Sequence, residues 1–287
     1  MIDKICLVTG ATSGIGKATA CGLALMGATV IIASRNEVKG QQIAEDIRVK
    51  TGSKTIDMMH ADLSSQKQIC NLVEHFNSKY EKLDVLINNA GAMFPHRHES
   101  DDGIEMTLAV NHVGPFLLTN LLLDKLHAAG QARVINVNSD AHEKGRIDFN
   151  DLQMHRRYPR GGIGMRAYAN AKLANLLTTY ALARRLQGSA VTVNALHPGY
   201  VATNILPFEE TSGASRLLEL LWVIAKRVIL SAEKGARAPI FLASDPRVGK
   251  VTGTYFERTV PVSSSPTSRD TALQEMMWNA TTQLLPW

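Results

Sequence analysis

An open, doubly wound α/β sheet, seven-stranded and parallel with helices on both faces, is the fold class this sequence predicts, and three observations predict it. Apolar runs rich in β-branched residues recur at 4–9, 28–33, 55–61, 83–88, 132–138, 190–196 and 251–256. Each is separated from the next by a stretch that can carry a helix, the alternation that builds parallel βαβ units. The chain has 287 residues, 45% of them hydrophobic, enough to fill a sizeable core. No repeat, low-complexity tract or linker divides it into core-sized halves, so 1–287 reads as one domain, with a lid region near 204–230 and a C-terminal tail from about 258. Right-handed crossovers gather the strand C-terminal ends along one edge, where ligands bind in such sheets.

The first run leads into Thr9-Gly10-Ala11-Thr12-Ser13-Gly14-Ile15-Gly16, a glycine-rich turn opening a helix. Three glycines allow a sharp turn and close backbone approach, and the helix N-terminus offers N–H groups to a phosphate. The spacing G-x-x-x-G-x-G predicts a nucleotide site; an unliganded strand-to-helix turn is the alternative for the octet alone. The second run ends in Ala33-Ser34-Arg35-Asn36. An acidic residue there would bind ribose hydroxyls and repel a 2′-phosphate, whereas Ser34 followed by the Arg35 guanidinium predicts NADP (NADPH) over NAD. The third run closes on Ala61-Asp62-Leu63, where Asp62 taken alone reads as a candidate N-cap of the next helix. After the fourth run, Asn88-Asn89-Ala90-Gly91 supplies small residues that admit a nucleotide closely. Asn111, a poor helix former in mid-helix, predicts a kink or a bound water.

Ser139 follows the fifth run, so its hydroxyl should emerge at the ligand edge and hydrogen-bond a substrate oxygen. Tyr168 and Lys172 stand four apart on the next helix and therefore share a face. An ammonium about 4 Å from a phenol attracts the phenolate by on the order of 4 kcal/mol at an effective dielectric of about 20, before desolvation opposes it. That predicts a tyrosine brought toward working pH, fit to give a proton to a carbonyl or take one from an alcohol. The sixth run ends in His197-Pro198-Gly199-Tyr200-Val201-Ala202-Thr203; a bare Pro-Gly turn is the plain reading, and His197 reads as structural. The stretch 217–230, with Leu217, Leu218, Leu221, Trp222 and Ile224, is too short to span a bilayer and reads as a substrate-covering helix, with an interfacial membrane helix or a dimer contact as alternatives. Pro261 to Ser268 reads as a late loop.

These segments, in this order and over nearly the whole chain, resemble the short-chain dehydrogenase/reductase family, a Rossmann-type fold. The resemblance implies that Asn111, Ser139, Tyr168 and Lys172 are catalytic: Ser139 orients substrate, and Asn111 relays a proton through water to Lys172. It implies cofactor contacts from Gly10, Thr12, Ser13, Gly14, Ile15, Gly16, Ser34, Arg35, Asn36, Asp62, Leu63, Asn89, Ala90, Gly91, Tyr168, Lys172, Pro198, Gly199, Val201 and Thr203, with Asp62 near the adenine amino group and the Pro-Gly backbone near the carboxamide. The family often has two serines where this chain has Asn138-Ser139. A long Ser139–Tyr168 interval, Ala171-Lys172-Leu173-Ala174-Asn175 and Glu275-Met276-Met277-Trp278-Asn279 resemble its retinol dehydrogenase branch, which implies a hydrophobic carbonyl or alcohol substrate and a dimer or tetramer packed through long helices. A silent nucleotide-binding protein and a reductase of activated C=C bonds are the alternatives.

Lysine plus arginine number 31 against 26 acidic residues, but no long basic run suggests nucleic acid. Cys6, Cys21 and Cys70 lack metal-type spacing and fit small core residues in a reducing compartment. The first run starts directly after Met1-Ile2-Asp3, which leaves no room before it for a secretory signal or transmembrane anchor and predicts a cytoplasmic protein, peripheral membrane contact through 217–230 apart.

Overall fold

Along β1 (Ile5–Thr9), alternation sends Cys6 and Val8 to one side of the sheet and Leu7 to the other, and all three are fully buried. The same two-sided burial holds for Val30, Ile31 and Ile32 in β2 (Thr29–Ser34). A strand apolar on both faces needs cover on both, so helices flank the sheet. The structure, a computed structural model, describes residues 1–156, 158, 164–201 and 230–285.

The remaining strands are β3 (Ile56–His60), β4 (Val85–Asn88), β5 (Ala132–Val137), β6 (Val191–His197), β7 (Tyr255–Glu257) and β8 (Val260–Val262). Their order is β3-β2-β1-β4-β5-β6-β7-β8, and every pair is parallel except β7 with β8. The order reverses between β1 and β4, which opens a crevice beyond Thr9 and Asn88.

The described helices are α1 (Gly14–Leu25), α2 (Glu37–Thr51), α3 (Gln66–Lys79), α4 (Met106–Leu108), α5 (Gly114–Leu121), α6 (Leu123–Ala128), α7 (Met165–Arg185), α8 (Ala232–Ser244), α9 (Pro266–Arg269) and α10 (Thr271–Thr282). Leu23, Ile47 and Leu242 of α1, α2 and α8 fill one core; Phe76, Leu117, Leu177 and Met277 of α3, α5, α7 and α10 fill the other. None of the described helices is long and apolar enough to cross a membrane. Cys6 and Cys21 are buried and Cys70 half-buried, all as free thiols.

The sequence reading needs correction at the far edge of the sheet. Seven parallel strands are present, but an eighth, β8, folds back antiparallel through a two-residue connection in which Arg258 takes φ 56°. Val260 to Val262, read as tail and loop, therefore extend the sheet, and Pro261 is tolerated because the strand lies at an edge. Strand β7 also starts later than its apolar run. Gly253 turns at φ 64°, and the Asn194 side chain holds the turn, donating to the Val251 carbonyl at 2.6 Å and accepting from the Thr254 amide at 3.0 Å. The rest of the tail is helical, α9 capped by Ser265 and α10 by Asp270.

Candidate active site

The glycine-rich turn is shaped first by its own chain. Gly10 has φ 63°, and a Cβ on it would lie 2.7 Å from the Ala90 Cα; a Cβ on Gly16 would collide with the Gly10 carbonyl. Gly14 also has a positive φ, 53°. The helix that follows has Ser13 at its N-cap without a side-chain cap bond and no acidic residue in its first turn. Among the described residues no capping side chain engages its leading N–H groups, which leaves the donor set a pyrophosphate fits.

Asn89 and Ala90 enter this arrangement differently from the sequence reading. The Asn89 amide nitrogen donates to the carbonyls of Thr9 (2.9 Å) and Gly10 (3.2 Å), so the side chain braces the turn. The backbone N–H groups of Asn89 and Ala90 both donate to Thr9 Oγ1 at 3.0 Å. Thr9, fully buried, is thus a functional support that sequence reasoning missed. Its signal was a lone hydroxyl ending an apolar strand directly before glycine.

At the neighbouring strand end, Thr9 pairs with Ala33 and Ser34 with His60, so Arg35 is the first residue past the end of β2. The buried Ser34 hydroxyl donates to the Asn36 carbonyl at 2.8 Å, and Asn36 Oδ1 accepts the Lys39 amide at 2.8 Å as the cap of α2. Both side chains are engaged within the chain, whereas Arg35 beside them is exposed. Asp62 is half-buried, and its Oδ1 accepts both the amide (2.8 Å) and hydroxyl (2.7 Å) of Ser64. The N-cap alternative for Asp62 does not hold, because Ser65 caps α3. The Leu63 side chain is buried in the core.

Asn111 lies in a π-helical turn, Ala109–Val113, between α4 and α5, which is the irregularity its presence predicted. Its amide nitrogen donates to the carbonyls of Ala92 (2.7 Å) and Thr107 (2.8 Å), and its own carbonyl accepts the Asn175 amide at 3.3 Å. Gly91 separates it from Lys172: a Cβ there would lie 2.9 Å from Asn111 Oδ1 and 3.6 Å from Lys172 Nζ. Lys172 Nζ donates to the Val137 carbonyl at 2.9 Å and stands 5.5 Å from the centre of the Tyr168 ring. The hydroxyl of Ser139, two residues past Val137, donates to Asp140 Oδ1 at 3.0 Å. Asn111, Ser139, Tyr168 and Lys172 thus converge beside Gly91 at the C-terminal edge of β4 and β5.

One electrostatic expectation is overturned. Burial of Tyr168 raises its phenol above the usual tyrosine range, outweighing the lowering influence of Ser139, and Asp140 pushes it further up. Burial likewise lowers Lys172, to about 8. The reason is that the ammonium is aimed at a backbone carbonyl and both side chains are almost wholly removed from water. Desolvation therefore exceeds the attraction counted from sequence.

Beyond β6, Pro198 and Gly199 are buried, and Gly199 takes φ 89°. Val201 pairs with Leu230, and a Cβ on Gly235 would meet both Val201 and Ile15, so this segment returns to the glycine-rich turn. His197 is buried with Nδ1 unpartnered among the described residues. Thr203 and the 217–230 stretch, including Leu217 and Trp222, lie outside the described residues, apart from Leu230 itself.

A family model described as short chain dehydrogenase matches residues 4–150. Retinol dehydrogenase 12 of Homo sapiens is 41% identical over 282 residues, covering 98% of this chain and 86% of that protein. A crystal structure of an uncharacterised protein from Mycobacterium Paratuberculosis superposes with TM-score 0.77 at 33% identity, covering 99% of this chain and 93% of the other. The Pseudomonas aeruginosa RhlG/NADP active-site complex superposes with TM-score 0.69 at 26% identity, over 90% and 95% of the two chains.

Proposed function

We propose, from the premise that this chain belongs to the short-chain dehydrogenase/reductase family and is an oxidoreductase, that it uses NADPH to interconvert a hydrophobic carbonyl compound and its alcohol. The observation that carries this reading is the convergence of Tyr168, Lys172, Ser139 and Asn111 beside Gly91, next to a helix N-terminus that no side chain among the described residues caps. A nicotinamide dinucleotide, when bound, would supply or accept the hydride. The uncapped start of α1 would hold its phosphates, and Gly10, Gly14 and Gly16 shape the turn that permits approach.

In this reading the buried Tyr168 phenol, protonated at neutral pH, gives its proton to the carbonyl oxygen as hydride arrives at carbon. Ser139 fixes that oxygen, and Lys172, anchored on Val137, sets the field beside the phenol. A protonated phenol suits reduction; oxidation requires the phenolate, which the Lys172 charge would favour. Monitoring NADPH absorbance against aldehydes and ketones of increasing apolar size tests the reading. Turnover is expected in the parent and a loss of at least about 100-fold in Tyr168→Phe. Cofactor binding with no turnover across the panel would instead favour a silent binding protein, and product analysis separates carbonyl from C=C reduction.

Cofactor choice is assigned to Arg35, since Ser34 and Asn36 are engaged within the chain and no acidic residue ends β2. The NADP complex of a structural relative supports the same choice by analogy. Arg35→Asp is expected to reverse the ratio of kcat/KM for NADPH over NADH; a variant still strongly favouring NADPH would remove Arg35 as the determinant. Retinol dehydrogenase relatives support an apolar, retinoid-like or long-chain substrate. We place the protein in the cytoplasm, where its thiols stay reduced; recovery in the membrane pellet after fractionation would overturn this.

A further inference from the structure

His142 lies in the 3-10 turn Asp140–Lys144 that follows Ser139; it is buried, and both of its ring nitrogens are engaged. Nδ1 stands 2.7 Å from the Ser139 carbonyl, and the Ser265 amide donates to Nε2 at 3.2 Å. A carbonyl can only accept and an amide N–H can only donate, so the ring carries its one proton on Nδ1 and a lone pair on Nε2. The Tyr255 ring of β7 packs edge-on against it at 5.0 Å. Ser139 is also held on its other side. Its N–H donates to Asn138 Oδ1 at 2.7 Å, and Asn138 Nδ2 donates to the Lys172 carbonyl of α7 at 3.0 Å. With the amide and the carbonyl both fixed, rotation about χ1 is the freedom left to the Ser139 hydroxyl.

The far end of this link is itself anchored. Ser265 caps α9, and the neighbouring Ser264 hydroxyl lies 2.6 Å from the Tyr180 hydroxyl of α7. Ser268 Oγ donates to the Ser265 carbonyl at 2.7 Å, and Gln274 Nε2 of α10 donates to the Ser268 carbonyl at 2.7 Å. Ser264, Ser268 and Gln274 are all buried, so water does not compete for these bonds. We propose that His142 is a positioning residue: its imidazole, protonated on Nδ1 alone, fixes the Ser139 backbone and ties it to the C-terminal segment at Ser265, which holds the Ser139 hydroxyl at one place beside the substrate. This role rests on the reading of Ser139 as the group that fixes the substrate oxygen.

The test separates the two ends of the ring by kcat for carbonyl reduction at saturating NADPH. His142→Asn keeps a donor near the Nδ1 position, facing Ser139; His142→Gln keeps an acceptor near the Nε2 position, facing Ser265. His142→Ala and His142→Gln are expected to lose at least about tenfold in kcat, His142→Asn to recover most of it, and KM for NADPH to stay within about twofold in all three. In a Ser139→Ala background, His142→Ala should cost less than about twofold more, because it acts through Ser139. Ser265→Pro removes the N–H at a φ of −54° that proline accepts, and should fall below Ser265→Ala, which loses the same hydroxyl but keeps the N–H. In the parent, nitrogen-15 NMR should show His142 protonated on Nδ1 and not on Nε2, a reading that needs no variant to fold. A proton on Nε2, a His142→Gln as active as His142→Asn, or losses that add in the Ser139→Ala background overturn the role of His142. Ser139→Ala with parent activity overturns both this role and the reading of Ser139 beneath it, whereas an inactive Ser139→Ala beside a fully active His142→Ala overturns the role of His142 alone.

Discussion

A single hydroxyl, that of Thr9, holds the glycine-rich turn against the segment after β4. It accepts two backbone N–H groups and is itself fully buried. Thr9→Val keeps the shape but leaves those donors without their acceptor. The expected cost is about 2 kcal/mol of stability, measured by denaturant midpoint, with a raised KM for NADPH because the turn loosens. Unchanged stability and KM would show the amides to be satisfied without the hydroxyl. At this scale, Tyr168, Lys172 and Ser139 were legible because a hydroxyl after a strand, or two side chains four apart on a helix, project predictably, whereas Asn111 was legible only as a helix irregularity and its role came from the family resemblance. The protonation state of Tyr168 was not legible. It depends on how much water the tertiary structure removes, and that burial reversed the sign of the expected shift.

At the scale of elements, the π-turn Ala109–Val113 ties the candidate site to the C-terminal helix. His112, wholly buried, bonds through Nε2 to Thr281 Oγ1 of α10 at 2.7 Å, one residue from Asn111. Burial lowers its imidazole to about 3, whereas an unfolded histidine titrates near 6.5. The unfolded chain therefore binds the extra proton first. On this group's account, stability falls as pH drops from about 6.5 toward 3 and levels off below that. His112→Asn is expected to flatten the acid side of a melting-temperature profile in that window. A slope identical to the parent's would assign acid sensitivity elsewhere. The pattern of apolar runs located the strands to within a few residues, since each needs two covered faces. It missed β8, whose pairing comes from a backbone reversal at Arg258 rather than from apolar alternation.

Across the whole molecule, α10 lies over α7 and α5. Met277 is fully buried, the Trp278 ring packs on Phe116 at 4.7 Å, and the Arg185 guanidinium stacks over it at 4.0 Å. Glu275 bonds both Arg184 and Arg185, and those two guanidinium partners hold its carboxyl down at about 2. Trp278→Ala is expected to lower stability by about 2 kcal/mol, less than a fully buried tryptophan because the ring is only half covered. A melting temperature within a degree of the parent would mean that the tail contributes no stability. The same packing bears on assembly. The long helices that were expected to carry a dimer or tetramer already have part of their outer face covered by the chain's own tail. Self-association, if sedimentation detects it, is expected to survive Trp278→Ala and to use a different surface. The sequence by itself determined the layered sheet, the glycine-rich turn and the shared helix face of Tyr168 and Lys172, because strand alternation, glycine conformation and helical spacing are local rules; the full set of four side chains followed from the family resemblance. Only the tertiary structure decided how those groups are charged and braced. The water excluded around Tyr168, the tie from Ser139 through His142 to Ser265 and the cover supplied by α10 all arise between residues far apart in the chain, where no local rule applies.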